Sequence, residues 1–188
     1  MSGALIRPLG RPGDLGWVVM AHGEVYAAEF GWDAGFEALV ARVVADYAAG
    51  DDPTREAAWI AEADGRRVGC VFVTAKDAET AQLRILLVHP SARGHRLGRR
   101  LVGESVEFAQ SAGYRRMVLW TNRPLTAARH LYLDAGFRLA AEEAHHSFGV
   151  DLVGQTYELE LTAGPGPPGA DARSLPGRPA PAPGDASP

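Results

Sequence analysis

The stretch from Gln82 to Ala112 constrains the fold more than any other part of the sequence. Gln82–Val88 has the length and apolar content of a strand, and His89-Pro90 stops it. A glycine-containing turn follows, and Arg96–Ala112 then carries one apolar face: Leu97, Leu101, Ser105, Phe108 and Ala112, with Val102, Val106 and Ala109 beside it. A strand that passes within a few residues into a one-faced helix needs a sheet on which to lay that face.

The flanking segments supply one. Ala4–Leu9 reads as a first strand, closed by Gly10 and Pro12, and Asp14–Phe30 has helical periodicity interrupted by Gly16 and Gly23. Ala34–Ala49 is a second helix, with Phe36, Leu39, Val43 and Tyr47 at three- and four-residue spacing, ended by Gly50-Asp51-Asp52-Pro53. Glu56–Glu62 and Arg67–Ala75 form a hairpin about Asp64-Gly65, a dipeptide suited to a tight primed turn. Lys76–Ala81 reads as a polar turn. Beyond the long helix come a strand (Arg116–Thr121), a helix (Leu125–Ala135), a strand (Phe137–Glu142), a turn-rich stretch holding His145 and His146, and a last strand (Gln155–Leu161). The order β-α-α-β-β-β-α-β-α-β-β, a meander followed by β-α-β-α-β, predicts an α/β protein built on a mixed sheet.

The folded domain is expected to span residues 1–163. Of the 25 residues in 164–188, eight are proline and five glycine, with Leu175 the single large aliphatic. Such a segment cannot bury enough apolar surface to offset the entropy of ordering it, so a disordered Pro/Gly/Ala-rich tail is predicted. A proline-rich docking peptide is the other reading of it.

The turn between strand and long helix is the first candidate site. Backbone N–H groups at a helix N-terminus lack internal partners and carry a partial positive charge. Gly94 and Gly98 leave room there for a phosphate group. No acid lies between Glu79 and Glu104, whereas Arg84, Arg93, Arg96, Arg99 and Arg100 fall inside that window of a chain whose net charge is −4. A compact polyanion fits this pattern, although arginines in a first helical turn can equally be solvated. The turn has neither the Gly-Lys-Ser/Thr ending of a P-loop nor the three glycines of a dinucleotide fingerprint.

The hexapeptide Arg93-Gly94-His95-Arg96-Leu97-Gly98 resembles the acyl-CoA-binding motif of the GNAT acetyltransferases, Arg/Gln-x-x-Gly-x-Gly/Ala. Leu119-Trp120-Thr121-Asn122 and Ala127–Phe137 resemble the segment that follows it in that family. More narrowly, Arg11–Gly16, Tyr26, Glu29–Asp33 and His145–Gly149 look like the acetyltransferase half of MarR–GNAT fusion proteins. The chain starts at the presumed first GNAT strand, with no room for the winged-helix half, so no DNA role is carried over. The resemblance implies the GNAT fold: a mixed, mostly antiparallel central sheet flanked by helices, its fourth and fifth strands splayed. It also implies an acetyl-CoA-dependent N-acetyltransferase that works by direct attack of a primary amine in a ternary complex. The alternative is a non-catalytic CoA-binding or ligand-sensing module.

By the same resemblance, backbone groups of Leu87 and Val88 hold the pantetheine arm and polarise the acetyl carbonyl. Arg93, Gly94, His95, Arg96, Leu97, Gly98 and Arg99 wrap the diphosphate, and Asn122 bonds the pantetheine. Arg96 stands where the pattern has its first glycine; its side chain either crowds the diphosphate or turns outward and adds a charge contact. Tyr132 matches the family's general acid, a phenol suited to protonating a departing thiolate, or it is a core tyrosine beside Leu131 and Phe137. His22, Tyr26 and Glu29 share a helical face; Glu29 is the leading candidate for the base and His22 the second, with His22 and Tyr26 lining the acceptor site. His145 and His146 are candidates for an acceptor-site loop. As neighbours in a strand they would point apart, and with no cysteine or carboxylate spacing beside them no metal site is expected. Cys70 reads as a small buried apolar residue.

Composition closes off other classes. With 19 basic against 23 acidic residues, general affinity for nucleic acid or anionic membrane is not expected. No apolar run approaches the ~18 residues of a membrane span. One cysteine and no visible secretory signal suit a cytoplasmic protein. The net charge tilts the expectation toward a cationic acceptor, and a homodimer is common in the family.

Overall fold

The computed structural model describes residues 4–50 and 52–162, so the expectation for the tail 164–188 lies outside the described residues. The elements are β1 (Leu5–Pro8), α1 (Asp14–Phe30), α2 (Ala34–Ala49), β2 (Ala57–Ala63), β3 (Arg66–Ala75), β4 (Thr80–Val88), α3 (Leu97–Ser111), β5 (Arg116–Asn122), α4 (Thr126–Asp134), β6 (Arg138–Ser147) and β7 (Val150–Glu160), with one 3-10 turn at Pro90–Ala92. Both early helices end where their punctuation predicts. The N–H of Gly31, in a left-handed conformation, bonds the Ala27 carbonyl, and the Asp33 carboxylate caps α2 by accepting from the Gly35 N–H at 2.8 Å.

The strands form one seven-stranded sheet in the order β1-β2-β3-β4-β5-β7-β6. All neighbours are antiparallel except β4 and β5. This is the predicted mixed sheet, and its single parallel pair is the one joined by the crossover helix α3. The β2–β3 hairpin turns at Asp64 (φ 49°) and Gly65 (φ 73°), as the Asp-Gly pair requires.

Helices cover both faces. On one side Leu97, Leu101 and Val102 of α3 and Tyr132 of α4 pack on Val71, Val73, Leu83 and Leu119. On the other, Val18 and Val25 of α1 and Phe36 and Val40 of α2 pack on Ile60, Cys70, Phe72 and Leu87. Burial on both faces is why β3 reads as a continuous apolar run. A buried ion network ties the N-terminal elements together. Asp14, at 0% exposure, accepts from Arg7 at 2.8 and 2.9 Å, from Arg67 at 2.7 Å and from the N–H of Arg11 at 2.9 Å. Arg7 also donates to Glu62. Hydrogen bonds from Arg7 hold the Asp14 carboxyl well below the usual carboxylate range.

Two sequence expectations change. Thr80 and Ala81 open β4 instead of closing a polar turn. The stretch expected to be turn-rich is strand: β6 continues to Ser147 and meets Val150 of β7 across a tight turn at Phe148 (φ 58°) and Gly149 (φ 79°). β6 is an edge strand exposed along nearly all its length, so no burial pattern marks it; pairing with β7 alone fixes it.

Candidate functional site

The parallel pairing of β4 with β5 runs from Thr80↔Arg116 to Leu83↔Leu119 and stops. β4 continues beside β3 to Gly69↔Val88, and β5 continues beside β7 to Asn122↔Gly154. The cause of the parting is a bulge: Cys70 faces Leu87 and Phe72 faces Arg84, leaving Ile85 and Leu86 opposite Val71 alone. Ile85 takes φ 39°, and the Cys70 thiol donates to its carbonyl at 3.5 Å. Beyond the bulge, the β5-facing backbone of Leu87 and Val88 borders an open wedge.

One cleft, of about 460 Å³, lies on the α3–α4 side of that wedge and reaches the turn before α3. No side chain caps α3, and Arg100 makes the helix's first backbone bond, to Arg96. Among the described residues, the backbone N–H groups from Gly94 to Arg99 reach no acceptor. A row of free donors at a helix start can cradle an anion. Gly94 faces open space, whereas a Cβ on Gly98 would meet Leu131 Cδ1 at 2.5 Å; Gly98 is small so that α4 can pack on α3, not only to admit a phosphate.

The basic side chains around the turn are less free than their spacing suggests. Arg93 pairs with Glu29 at 2.8 Å, Arg99 with Asp134 at 2.6 Å, and Arg100 donates to the Ala4 carbonyl at 2.7 Å. His95 bonds the Arg93 carbonyl through Nδ1 at 3.0 Å. Arg96 is exposed and makes no such contact. It forms the N-cap of α3 at φ 56°, ψ 17°, the left-handed region in which glycine is the unstrained residue.

A second cavity, of about 570 Å³, opens on the α1–α2 side of the sheet. The two share Tyr26, Leu86, Leu125 and Ala128, so they meet at the splay. His22 lines the second cavity at 1% exposure. Its Nδ1–H donates to the Val18 carbonyl at 2.8 Å, which leaves Nε2 an acceptor, and Nε2 has no partner. Burial lowers its pKa to about 4, so the ring is neutral at pH 7. Tyr26 stacks on it at 5.8 Å. Tyr132 lines the same cavity while its ring packs at 6.0 Å from Phe137, and burial raises its phenol so that it keeps its proton. Tyr132 is thus a buried core residue that also lines the cavity.

Asn122, at 1% exposure, accepts from His145 Nε2 at 2.9 Å, and Ser147 Oγ sits 2.9 Å from His145 Nδ1. The ring of His145 lies 5.5 Å from that of Trp120. His146 instead pairs with Asp151 at 2.7 Å in solvent. The two histidines thus diverge, and only His145 touches the site. Glu29 borders the first cleft but not the second; bonded to Arg93, it is tied to the anion end. Among the lining residues that the sequence reading did not assign to an acceptor site are Phe36, Gln82, Trp120 and Arg84, the last of which it had counted with the arginines of the anion window. The available signal was a charged residue inside an apolar strand, Leu83-Arg84-Ile85. Among the described residues, no cluster of His, Cys, Asp and Glu is arranged to hold a metal, and no helix is long and apolar enough to cross a membrane.

Comparison with known proteins agrees with this geometry. The model of the acetyltransferase (GNAT) family matches residues 21–137. N-acetylaspartate synthetase of Danio rerio is 34% identical over 91 residues, 48% of this chain and 32% of that protein. Mycothiol acetyltransferase of Beutenbergia cavernae is 29% identical over 89 residues, 47% of this chain and 29% of that protein. The chain thus spans about a third of the length of these relatives. A Salmonella typhimurium protein solved with its cofactor acetyl-CoA superposes with a TM-score of 0.69 at 18% identity, over 89% of this chain and 99% of that one, which shows a shared fold.

Proposed function

The chain belongs to the acetyltransferase (GNAT) family, and from that premise we propose that it transfers the acetyl group of acetyl-CoA to a primary amine by direct attack within a ternary complex. The observation that carries this reading is the junction of two cavities at the β4–β5 splay, one ending in the free N–H groups of Gly94–Arg99 and the other holding Tyr132 and His22. When bound, acetyl-CoA supplies an acetyl group already activated as a thioester. The diphosphate is assigned to the backbone donors at the start of α3, with Arg93, His95, Arg96 and Arg99 at the rim. The pantetheine arm is assigned to Leu87, Val88 and Asn122. Fixed backbone dipoles of β4 beyond the bulge suit stabilisation of a developing oxyanion, because they need no reorganisation as charge appears.

Tyr132 is the general acid. Its phenol lines the cavity that meets the first cleft at the splay, where it can protonate the departing thiolate. For the amine, the geometry favours His22 over Glu29, since Glu29 is neutralised by Arg93 at the far end of the other cleft. Neutral His22, its ring buried beside the Val18 and Ile85 backbone and its Nε2 without a hydrogen-bond partner, is the group assigned to receive the amine proton, directly or through a relaying water. The narrower kinship with MarR–GNAT acetyltransferase halves rests on sequence segments alone.

The test is Tyr132→Phe. Loss of a general acid lowers turnover by about 10²–10⁴-fold, with the affinity for acetyl-CoA in isothermal titration unchanged. Unchanged turnover would remove Tyr132 from the chemistry. A wild-type chain that binds acetyl-CoA but releases no thiol with any amine would leave a CoA-binding module.

A further inference from the structure

The acceptor cavity carries a charge of its own. Ala81 and Leu83 of β4 point into the core under α3, so Gln82 and Arg84 between and beyond them face the α1–α2 side, where both line the cavity. Arg84 is half-buried, yet among the described residues no side chain or carbonyl accepts a hydrogen bond from it. Asp46 on α2 attracts it electrostatically but forms no ion pair with it. A guanidinium drawn out of water is ordinarily paired, because the loss of hydration is costly. Lys76 also lines the cavity, and no Asp or Glu does. The apolar and aromatic part of the wall includes Trp32, Phe36, Leu39, Val43, Val118 and Trp120, beside the polar groups of His22, Asn122, Thr121 and Thr156.

Resting on the transferase reading above, the geometry points to an acceptor of one chemical class: a small amine that also bears a carboxylate, namely an amino acid with an apolar or aromatic side chain. Arg84 receives the carboxylate in its fork of donors, with Gln82 beside it. The apolar wall takes the side chain, and the amino group is directed toward the bulge at Ile85, the residue next to Arg84. Adjacent placement of anion site and reaction centre suits an amine and carboxylate on neighbouring atoms. A polyamine or a lysine side chain, both cationic, would meet Arg84 and Lys76 without a counter-charge. The net charge of −4 tilts long-range steering toward cations, but the Lys and Arg side chains lining this cavity, Lys76 and Arg84, are positive.

The test is equilibrium binding to the full chain saturated with CoA, read by titration calorimetry. The probes are L-leucine, L-methionine, L-phenylalanine and L-tryptophan, each with its carboxamide. At least one acid binds tighter than its amide by about tenfold or more, the scale of a charge-assisted hydrogen bond. Arg84→Met abolishes the preference and Arg84→Lys retains part of it, while both keep the wild-type affinity for acetyl-CoA and so report on a folded protein. Equal binding of acids and amides, tighter binding of amides, or no binding of any probe at tens of millimolar would overturn the proposal. Failure of the transferase reading is separable: thiol release from acetyl-CoA with amides as readily as with acids leaves that reading standing and removes this one, and acid-selective binding to the CoA-saturated chain with no thiol release from acetyl-CoA removes the transferase reading while leaving Arg84 as a carboxylate site.

Discussion

Arg96 offers the sharpest single test of how the anion-binding turn is built. The residue sits at φ 56°, ψ 17°, as the N-cap of α3, where a side chain costs an L-residue about 1–2 kcal/mol relative to the right-handed region. Glycine removes that cost but brings roughly 0.4–1 kcal/mol of extra unfolded-chain entropy. Arg96→Gly is therefore expected to stabilise the fold by about 0.5 kcal/mol, a rise in Tm of roughly 1–2 °C for a domain of this size. Arg96→Ala keeps the strain and loses only an exposed, unpartnered guanidinium, so its Tm stays at the wild-type value. Binding separates the two alternatives for the arginine. If its charge helps hold the diphosphate, both variants lose acetyl-CoA affinity by about two- to fivefold at low salt, the scale of one exposed charge, and the loss shrinks as salt is raised. If the side chain crowds the ligand, both variants bind tighter. The outward-turned arrangement fits this structure, because Arg96 is exposed and the donors beneath it are free. Differential scanning fluorimetry and calorimetric titration with desulfo-CoA measure both quantities. Equal stabilisation by Ala and Gly would refute the backbone argument, and a gain in affinity in either variant would refute the charge argument.

Two further outcomes follow from buried titratable groups. His22, with a folded pKa of about 4 against 6.5 when unfolded, contributes its full stabilisation above pH 6.5 and loses it as pH falls toward 4, a span of about 3 kcal/mol. Urea midpoints of the wild type should therefore fall more steeply between pH 7 and 4.5 than those of His22→Gln, and parallel curves would contradict the burial of a neutral ring. Asp14→Asn removes the one charge that both Arg7 and Arg67 contact and leaves the buried Arg7 with Glu62 alone; losing half of its pairing costs about 3 kcal/mol, and Tm drops by roughly 10 °C. A drop of under 3 °C would mean that Glu62 alone satisfies Arg7.

Much of this fold is written locally. The bounds of α1 and α2 follow from residues that act on their own backbone: Gly31 in a left-handed cap, Asp33 accepting from an amide two residues on, and the apolar spacing between. The β2–β3 turn is equally local. What the sequence concealed is everything decided by residues far apart. β6 has no alternation to read because neither of its faces is covered, so the histidines expected in a loop stand in a strand and, through the pleat, part company. The acid-free window around the anion-binding turn looked like an uncompensated positive patch; Glu29 arrives from α1 and Asp134 from α4 to neutralise two of its arginines. The remaining arginine of β4 was counted in the same patch, yet the pleat turns it to the opposite face of the sheet.

That last displacement carries a general consequence for reading such a site. A strand crossing between two cavities distributes its residues alternately, so one run of sequence serves both ligands. In β4 the bulge at Ile85 shifts the alternation by one residue just where the cavities meet. Before the bulge, Arg84 faces the acceptor side. Beyond it, Leu87 still packs toward α1 and α2 while the freed backbone borders the first cleft. Removing the bulge would therefore do more than close the wedge. It would also turn every residue on one side of it to the opposite cavity, moving Arg84 relative to the reacting atoms. On the proposed reading, the spacing between Arg84 and the site of acyl transfer is in this way set by a single extra residue in one strand.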